Sequence, residues 1–464
     1  MKALSIIPLT TLAASSALQQ YLHEASNSQT SLSSSSKPLV DSKALQDHIT
    51  SDNLLKRAKK LFEIAQLGVE EYNHPTRVIG SDGHVGTLDY IYSTIAELGD
   101  YYELSNQSFE AVVGNIFESR LVLGDGEPKS ATPMSLTPPT KNKDAVFGPL
   151  VLVANEGCDA SDYPSNTTGS IALIKRGVCA FGDKSAAAGK AGAIAAVVYN
   201  SEKGSLSGTL GEPSKYHVAT FGLSNEDAQQ FIKKLQDGKL IPSSAYIDSI
   251  VHKAPTTNII AQTKGGDQDN CNCVRFAWWA GEEEGLLGSD YYVSQLSEKE
   301  NLKIRLFMDY DMMASPNYAY QVYNATNALN PTGSEELRDL YIDFYKSHNQ
   351  NYTFIPFDGR SDYDAFIKNG IPGGGIATGA EGIKTKAEVE MFGGSAGQWY
   401  DPCYHQLCDT VDNCNLDAWE INTKLIAHSV ATYAVSFKGF PERTGVSSNA
   451  QGEKSLYHGP KLVM

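Results

Sequence analysis

Carboxylates and one imidazole are the side chains in this sequence whose types and spacing could do chemistry. Three consecutive glutamates, Glu282, Glu283 and Glu284, follow the apolar run "FAWWAG" and precede "GLLGSDYYV". Asp309 and Asp311 close the run "KIRLFMDYD", and His405 lies in "YDPCYHQLCDTVDN". Oxygen donors with an imidazole suit Zn²⁺ or a similar divalent ion. Adjacent glutamates can split the work, one ligating metal while its neighbour serves as general base on a metal-bound water. Spacing alone is a weak signal. Three glutamates in a row more often form a solvated helix start, where they complement the helix dipole. Taken singly, Asp311 reads as a strand-end turn residue and His405 as a loop histidine.

The elements that must position these groups follow an α/β pattern. From about residue 256, "TTNIIAQT", "VRFAWWAG" and "KIRLFMDYDMMA" read as strands, with short strands around "GGGIATG". Helices are predicted through "EEGLLGSDYYVSQL", starting with Glu284 in water, over 334–347 and over 417–436. Alternating strands and helices, with several strands buried on both faces, indicate a sheet covered by helices. Ligands of such sheets bind at the carboxyl ends of strands. Glu282–Glu284 and Asp309/Asp311 fall at such ends, and His405 does too if a strand precedes it. Residues 41–100 read as two helices, the second keeping Leu88, Ile91, Ile95 and Leu98 at helical spacing. Strand-like segments follow to about 125. Between roughly 140 and 250 the runs "GPLVLV", "GSIALIKRG" and "AIAAVVYN", with a helical start at "DKSAAAGKAG", predict a small β-rich unit that has no acid–base cluster.

Composition bounds the rest. A chain of 464 residues implies about two domains, and a net charge of −16 disfavours nucleic acid or an anionic membrane as partner. The start, "MKALSIIPLTTLAASSALQQ", has the form of a signal peptide (residues 1–17), followed by a Ser-rich pro-segment or linker over 18–40. Sequons at Asn106, Asn166, Asn324 and Asn351 agree with export. Of seven cysteines, Cys158 with Cys179 and Cys403 with Cys408 are the natural pairs in an oxidising compartment. Cys271, Cys273 and Cys414 are left over.

"VRFAWWAGEEEGLLGSDYYV", "MDYDMMASPN", "GRSDYDAFIKNGIP" and "DPCYHQLCDTVDN" together resemble the secreted fungal leucine aminopeptidases and the vacuolar aminopeptidase Y group, a di-zinc exopeptidase family. The 140–250 unit is similar to the protease-associated domain inserted in those enzymes. The resemblance covers nearly all of the chain after the signal peptide. It implies a three-layer α/β zinc-exopeptidase domain with a mixed sheet (41–139 and 251–440), interrupted by that β-rich domain (140–250) and followed by a tail (441–464). It implies Glu282 as general base, and Glu283, Asp311 and His405 as zinc ligands with Asp309 in reserve. Tyr404 would help stabilise the oxyanion, Cys403–Cys408 would pin the His405 loop, and Asp362 and Tyr363 would support the site. The implied activity is release of neutral, leucine-type N-terminal residues from peptides. The implied protein is a secreted monomeric glycoprotein, with a vacuolar location as the alternative.

The family pattern also needs a His-x-Asp element, bringing a histidine for the first zinc and an aspartate bridging both. It belongs between the "NIIAQTKGG" and "VRFAWW" strands, which are here nearly joined in "NIIAQTKGGDQDNCNCVRFAWW". No His-x-Asp occurs anywhere in the chain. Its loss would remove a strand, a loop and a crossover helix, about 30 residues or more. The neighbouring strands would then close up or leave backbone groups unpaired. At most one zinc is therefore expected. Either an exon boundary is misplaced or an alternative transcript is represented, or the protein has lost its metals and keeps the fold as a binding module. Retention of Glu282 and His405 favours the first.

Overall fold

The computed structural model describes residues 40–443 apart from 202, 203, 205 and 265–271. The signal peptide, most of the Ser-rich segment, nearly all of the C-terminal tail and Cys271 therefore lie outside the described residues.

Two strands of 22 residues each, β1 (Tyr102–Leu123) and β7 (Pro242–Thr263), organise the chain. They pair antiparallel from Tyr102 opposite Thr263 to Leu123 opposite Ser243, with one bulge between Ile116 and Glu118. The register alternates side chains between faces, so Ala245, Ile247 and Ser249 are buried while their neighbours are more open. The boundary expected near 250 falls inside β7.

At one end of this ribbon sits the inserted unit. The short β2 (Thr132–Pro133) edges a run of four strands, β3 (Val146–Leu152), β4 (Ile171–Lys175), β5 (Ala195–Tyr199) and β6 (Ala219–Leu223). Neighbours β3 to β6 are parallel, and β3 joins the ribbon antiparallel to β7. All five residues of β5 and of β6 are buried. Full burial explains runs such as "AAVVY" that show no polar alternation. The helix Phe181–Lys190 is the crossover between the parallel β4 and β5, and the helix Asn225–Gln236 leads from β6 to β7. The expected β-rich unit is thus built on parallel strands. Cys158 and Cys179 form a disulfide there.

At the other end, β8 (Arg275–Trp278) pairs antiparallel with β7, Ile259 facing Trp278 and Gln262 facing Arg275. A second sheet has β9 (Phe307–Tyr310), β10 (Gln321–Tyr323), β11 (Thr353–Ile355) and β12 (Gly373–Ala377) in the order β11–β10–β12–β9. The helices Ser334–Ser347 and Leu416–Val435 match the predicted spans to within one residue and bury Leu337, Tyr341, Tyr345 and Leu425 against β10 and β12. Among the described residues β8 and β9 do not pair, so the mixed sheet is interrupted between them. No described helix is long and apolar enough to cross a membrane.

The first long helix, Ser51–Ala65, is tied to the last by a carboxylate at its amino end. Glu420 accepts from the Ser51 backbone N–H at 2.7 Å and from its hydroxyl at 2.6 Å, and pairs with Lys424 at 2.6 Å. A carboxylate there satisfies orphan N–H groups and complements the helix dipole. The Lys424 and Ser51 bonds hold the Glu420 carboxyl down to about 2 from its ordinary 4.5. A depressed carboxyl contributes stability above its unfolded pKa and loses it as pH falls through the folded one. We expect Glu420→Gln to cost about 1 kcal/mol at pH 7. That difference should shrink as pH drops from 4.5 toward 2, read from urea midpoints. A loss unchanged at pH 3 would show that charge is not the cause.

Candidate active site

The carboxyl ends of β8 and β9 converge on one acidic cluster. β8 runs out through Gly281, and a tight turn follows in which Gly285 and Leu286 donate to the Glu282 carbonyl at 2.9 and 2.8 Å. The turn carries Glu282, Glu283 and Glu284, and the next helix begins only at Leu287. Asn258, fully buried on β7, clamps both sides of it. Its carbonyl oxygen accepts from the Ala280 N–H at 3.0 Å and its amide donates to the Gly288 carbonyl at 2.8 Å. A Cβ on Gly288 would stand 2.4 Å from the Asn258 oxygen, so the clamp needs glycine there.

Asp311 leaves β9 in a turn fixed from two directions. The Thr378 N–H donates to the Met312 carbonyl at 2.8 Å. Asn422, buried on the closing helix, donates to the Met313 carbonyl at 3.3 Å and accepts from the Tyr345 hydroxyl at 2.8 Å. Ser361 donates to the Asp311 carboxylate at 3.1 Å. Asp309 is buried within β9 and accepts from the Tyr363 N–H at 3.4 Å. A Cβ on Gly375, its partner in β12, would meet the Asp309 carbonyl at 2.1 Å, which accounts for glycine in "GGGIATG".

His405 comes from a loop rather than a strand end. The Cys403–Cys408 disulfide closes that loop, and His405 stands at φ 56° within it. Its Nε2 lies 2.9 Å from a Glu283 oxygen, and the Tyr404 ring stacks on it at 3.8 Å. Three of the non-glycine residues at positive φ are Leu286, Met312 and His405, one beside each arm of the cluster. Such conformations cost about 1–3 kcal/mol each and collect at functional sites.

The electrostatics are one-sided. Burial, then Asp311, Glu283, Asp362 and Asp309, push the Glu282 carboxyl up to about 10. Burial and Asp311 raise Asp309 to about 7, and burial and Glu283 raise Asp311. Asp362 is raised well above the carboxylate range by burial and Asp309, and one of its oxygens is buried with no hydrogen-bond partner. His405 is raised: burial works to lower it, but the Glu283 hydrogen bond and charge outweigh that. Glu284 does not begin a helix in water. It lies half-buried in the turn, raised to about 7 by burial and Glu283.

The structure thus gathers Glu282, Glu283, Asp311, His405 and Tyr404, with Asp309, Asp362 and Tyr363 behind them. Sequence reasoning missed Asn258, Ser361, Thr378 and Asn422. Only Ser361 had a signal, its place inside "GRSDYDAF". Arg360 in the same stretch pairs with Glu381 at 2.8 Å and hydrogen-bonds Tyr404. All four sequon asparagines, Asn106, Asn166, Asn324 and Asn351, are exposed.

The match to the Peptidase family M28 model spans residues 254–430, and a PA domain model matches residues 146–231. Aminopeptidase Y of Saccharomyces cerevisiae is 47% identical, covering 88% of this chain and 83% of that protein. The chain belongs to peptidase family M28. Leucine aminopeptidase 2 of Trichophyton equinum is 39% identical over 89% of this chain and 90% of that one. By this kinship the chain is a metallo-aminopeptidase of M28 type with an inserted PA domain. An aminopeptidase from Aneurinibacillus shares the fold, with a TM-score of 0.63 over 85% of this chain and 96% of that one at 22% identity. The zinc aminopeptidase BSAP of Bacillus subtilis does so with a TM-score of 0.54 over 83% and 96%, at 18% identity. The alignment with aminopeptidase Y runs over 460 positions, yet 88% of these 464 residues is about 408. Roughly 50 aligned positions, 460 less 408, therefore have no residue in this chain.

The M28 family and the zinc aminopeptidase neighbours imply zinc. The donor types and the uncompensated carboxylates suit a cation, but the set does not fit a metal pair. Among the described residues no three His, Cys, Asp or Glu side chains are grouped to hold an ion. Of the other described histidines, His84 bonds Thr256, His348 bonds the Phe344 carbonyl and His428 bonds Ser42.

The Asn258 clamp yields a test. Asn258→Ala leaves the Ala280 N–H and the Gly288 carbonyl buried without partners, which should cost about 2–3 kcal/mol by urea unfolding. A loss below about 0.5 kcal/mol, the size of an ordinary surface change, would show that the turn is held by other contacts.

Proposed function

We propose that this fold is that of a secreted aminopeptidase acting on peptides with a free, neutral, leucine-type N-terminal residue. We propose also that the chain as written carries only part of the centre. The observation that supports the reading is the placement of Glu282. Its half-buried carboxyl lies beside Asp311 and Glu283, and His405 stands 2.9 Å from Glu283.

The assignment gives Glu282 the role of proton acceptor and donor and Tyr404 that of oxyanion stabiliser. Glu283 and His405 would hold one zinc ion, and Asp311 is the ligand that belongs to the other. A complete zinc pair would supply Lewis acidity and a bound water of lowered pKa. The residues present fit at most one ion, so the catalytic cycle is incomplete as the chain stands. What the chain supplies by itself is orientation. The disulfide loop sets the His405 ring, Asn258 sets the glutamate turn, and Ser361 sets the Asp311 carboxylate. Peptides are the partner class, the protein is a monomer in this reading, and its four exposed sequons suit a secreted or vacuolar glycoprotein.

A second reading is favoured by the absence of a His-x-Asp element: a secreted glycoprotein without catalysis that uses the fold as a binding module. Zinc content and turnover of the recombinant chain separate the two extremes. We expect fewer than two zinc ions per molecule by metal analysis and little or no hydrolysis of leucyl p-nitroanilide. Two bound zincs with full activity would overturn the view that the centre is incomplete.

A further inference from the structure

We propose that the Cys158–Cys179 bridge of the inserted unit is a reversible redox site. A dithiol opens it by thiol–disulfide exchange, and the Lys184 ammonium receives Cys158 as a thiolate. The site goes beyond the peptidase reading and does not rest on the metal centre.

Its ground is a buried charge that is poorly matched. Lys184, in the helix Phe181–Lys190, is fully buried. Its Nζ donates to the Glu156 carbonyl and, at 3.7 Å, to the Cys158 sulfur. Among the described residues no carboxylate forms an ion pair with it. A bridged sulfur is a weak acceptor, and a buried ammonium without a counter-ion is costly. Burial lowers the Lys184 ammonium from its ordinary 10.5, while Glu156, Asp162 and Asp183 act to raise it. Opening the bridge with the electron pair left on Cys158 sets an anion against this cation. The charges that would oppose a thiolate there are engaged elsewhere. The Asp162 carboxylate accepts from the Asn155 amide at 2.7 Å and from the N–H groups of Cys158 and Asp159 at 3.0 and 3.1 Å. Glu156 pairs with Lys175 at 3.6 Å.

The same bonds keep the reduced unit folded. Asp162 holds the Cys158 loop without help from the bridge. The Tyr163 hydroxyl ties that loop to the helix, lying 2.9 Å from the Gly157 carbonyl and 3.1 Å from that of Lys184. The Cys179 side is looser. The Arg176 N–H reaches the Tyr199 carbonyl at 2.8 Å, but no backbone N–H from Gly177 to Ala180 donates a hydrogen bond. Val178, beside Cys179, is 95% exposed. A thiolate of the dithiol therefore attacks Cys179 Sγ. The S–S bond breaks and its electron pair goes to Cys158, next to Lys184. The second thiolate of the dithiol then attacks the mixed disulfide and displaces Cys179. The dithiol is oxidised to its disulfide and gives up two protons, one to Cys179 and one to solvent. A stabilised thiolate leaves faster. The Cys403–Cys408 bridge lacks this device. Among the described residues no lysine or arginine is hydrogen-bonded to its sulfurs, and the Asp401 carboxylate stands against it, accepting from the Cys403 N–H at 2.9 Å.

The test uses the full-length protein with its free thiols blocked, equilibrated in mixtures of reduced and oxidised dithiothreitol. Newly opened thiols are alkylated and located by mass spectrometry. We expect Cys158–Cys179 to be half open at a ratio of reduced to oxidised reagent at least about tenfold lower than Cys403–Cys408 needs, a difference of about 30 mV. Lys184→Met, neutral and of similar length, should remove that advantage. In the reduced native chain Cys158 should react with iodoacetamide at about pH 6.5 at least about tenfold faster than Cys179, because the thiolate is the nucleophile. Amides of β4 and β5 should still exchange slowly. Equal ratios for the two bridges, or equal rates for the two thiols, overturn the proposal. So does a folded Lys184→Met protein that keeps the full advantage. Opening that comes only with fast exchange in β4 and β5 makes the bridge a plain structural staple and overturns it too. The thiol rates are read in the native chain, so they decide the matter whether or not Lys184→Met folds.

Discussion

A buried excess of negative charge is the constraint on which the rest of this molecule depends. Glu282, Asp309, Asp311 and Asp362 share a small volume, and Glu283 and His405 close it at 2.9 Å. Carboxylates in a medium of low dielectric repel strongly and lose hydration, so each is held toward its neutral form. No such cluster persists by chance packing. It must be held by contacts whose strength does not depend on the charges, and the structure supplies them as neutral amides, hydroxyls and a covalent bond. Asn258 fastens the glutamate turn, Thr378 and Asn422 fasten the exit of β9, and the Cys403–Cys408 bridge fastens His405.

The same constraint explains where backbone strain is found. Leu286, Met312 and His405 occupy the left-handed region beside the three arms of the cluster. Each lets the chain turn sharply after delivering a polar side chain, so that Glu282, Asp311 and His405 point inward without long loops. The strain is local, and the surrounding hydrophobic layers offset it. Tyr341, Tyr345 and Leu425 lie under one sheet, and Phe366, Tyr292 and Ile260 bridge the other to the shared helices.

Much of this was legible in the residues, and what was hidden was hidden for physical reasons. Helix 334–347 was readable because one face of it is apolar at helical spacing. The acidic and imidazole groups were readable because their motifs keep order along the chain. The supporting amides were not: a buried asparagine such as Asn258 looks like any polar residue in "TTNIIAQT", and only the fold shows that both of its polar ends are used. Glu284 misled, because a third glutamate after two others suggests a solvated helix start, whereas Gly285 and a left-handed Leu286 delay the helix to Leu287. The length of β7 was also hidden, since Pro255 and polar residues break up a pattern that pairing with β1 makes continuous.

The interrupted sheet and the uncompensated charge are two faces of one deficit. A parallel interior strand contributes backbone pairing along its length and polar groups at its carboxyl end. Where that strand is lacking, both contributions vanish together. Among the described residues β8 and β9 each have a strand partner on one side only, β7 and β12. A protein that had lost its metals through slow change would be expected to relax the repulsion first, trading Glu282 or Asp362 for neutral residues while keeping its sheet whole. Here the costly carboxylates and the clamps that hold them stand beside two strands, β8 and β9, that do not pair with each other among the described residues.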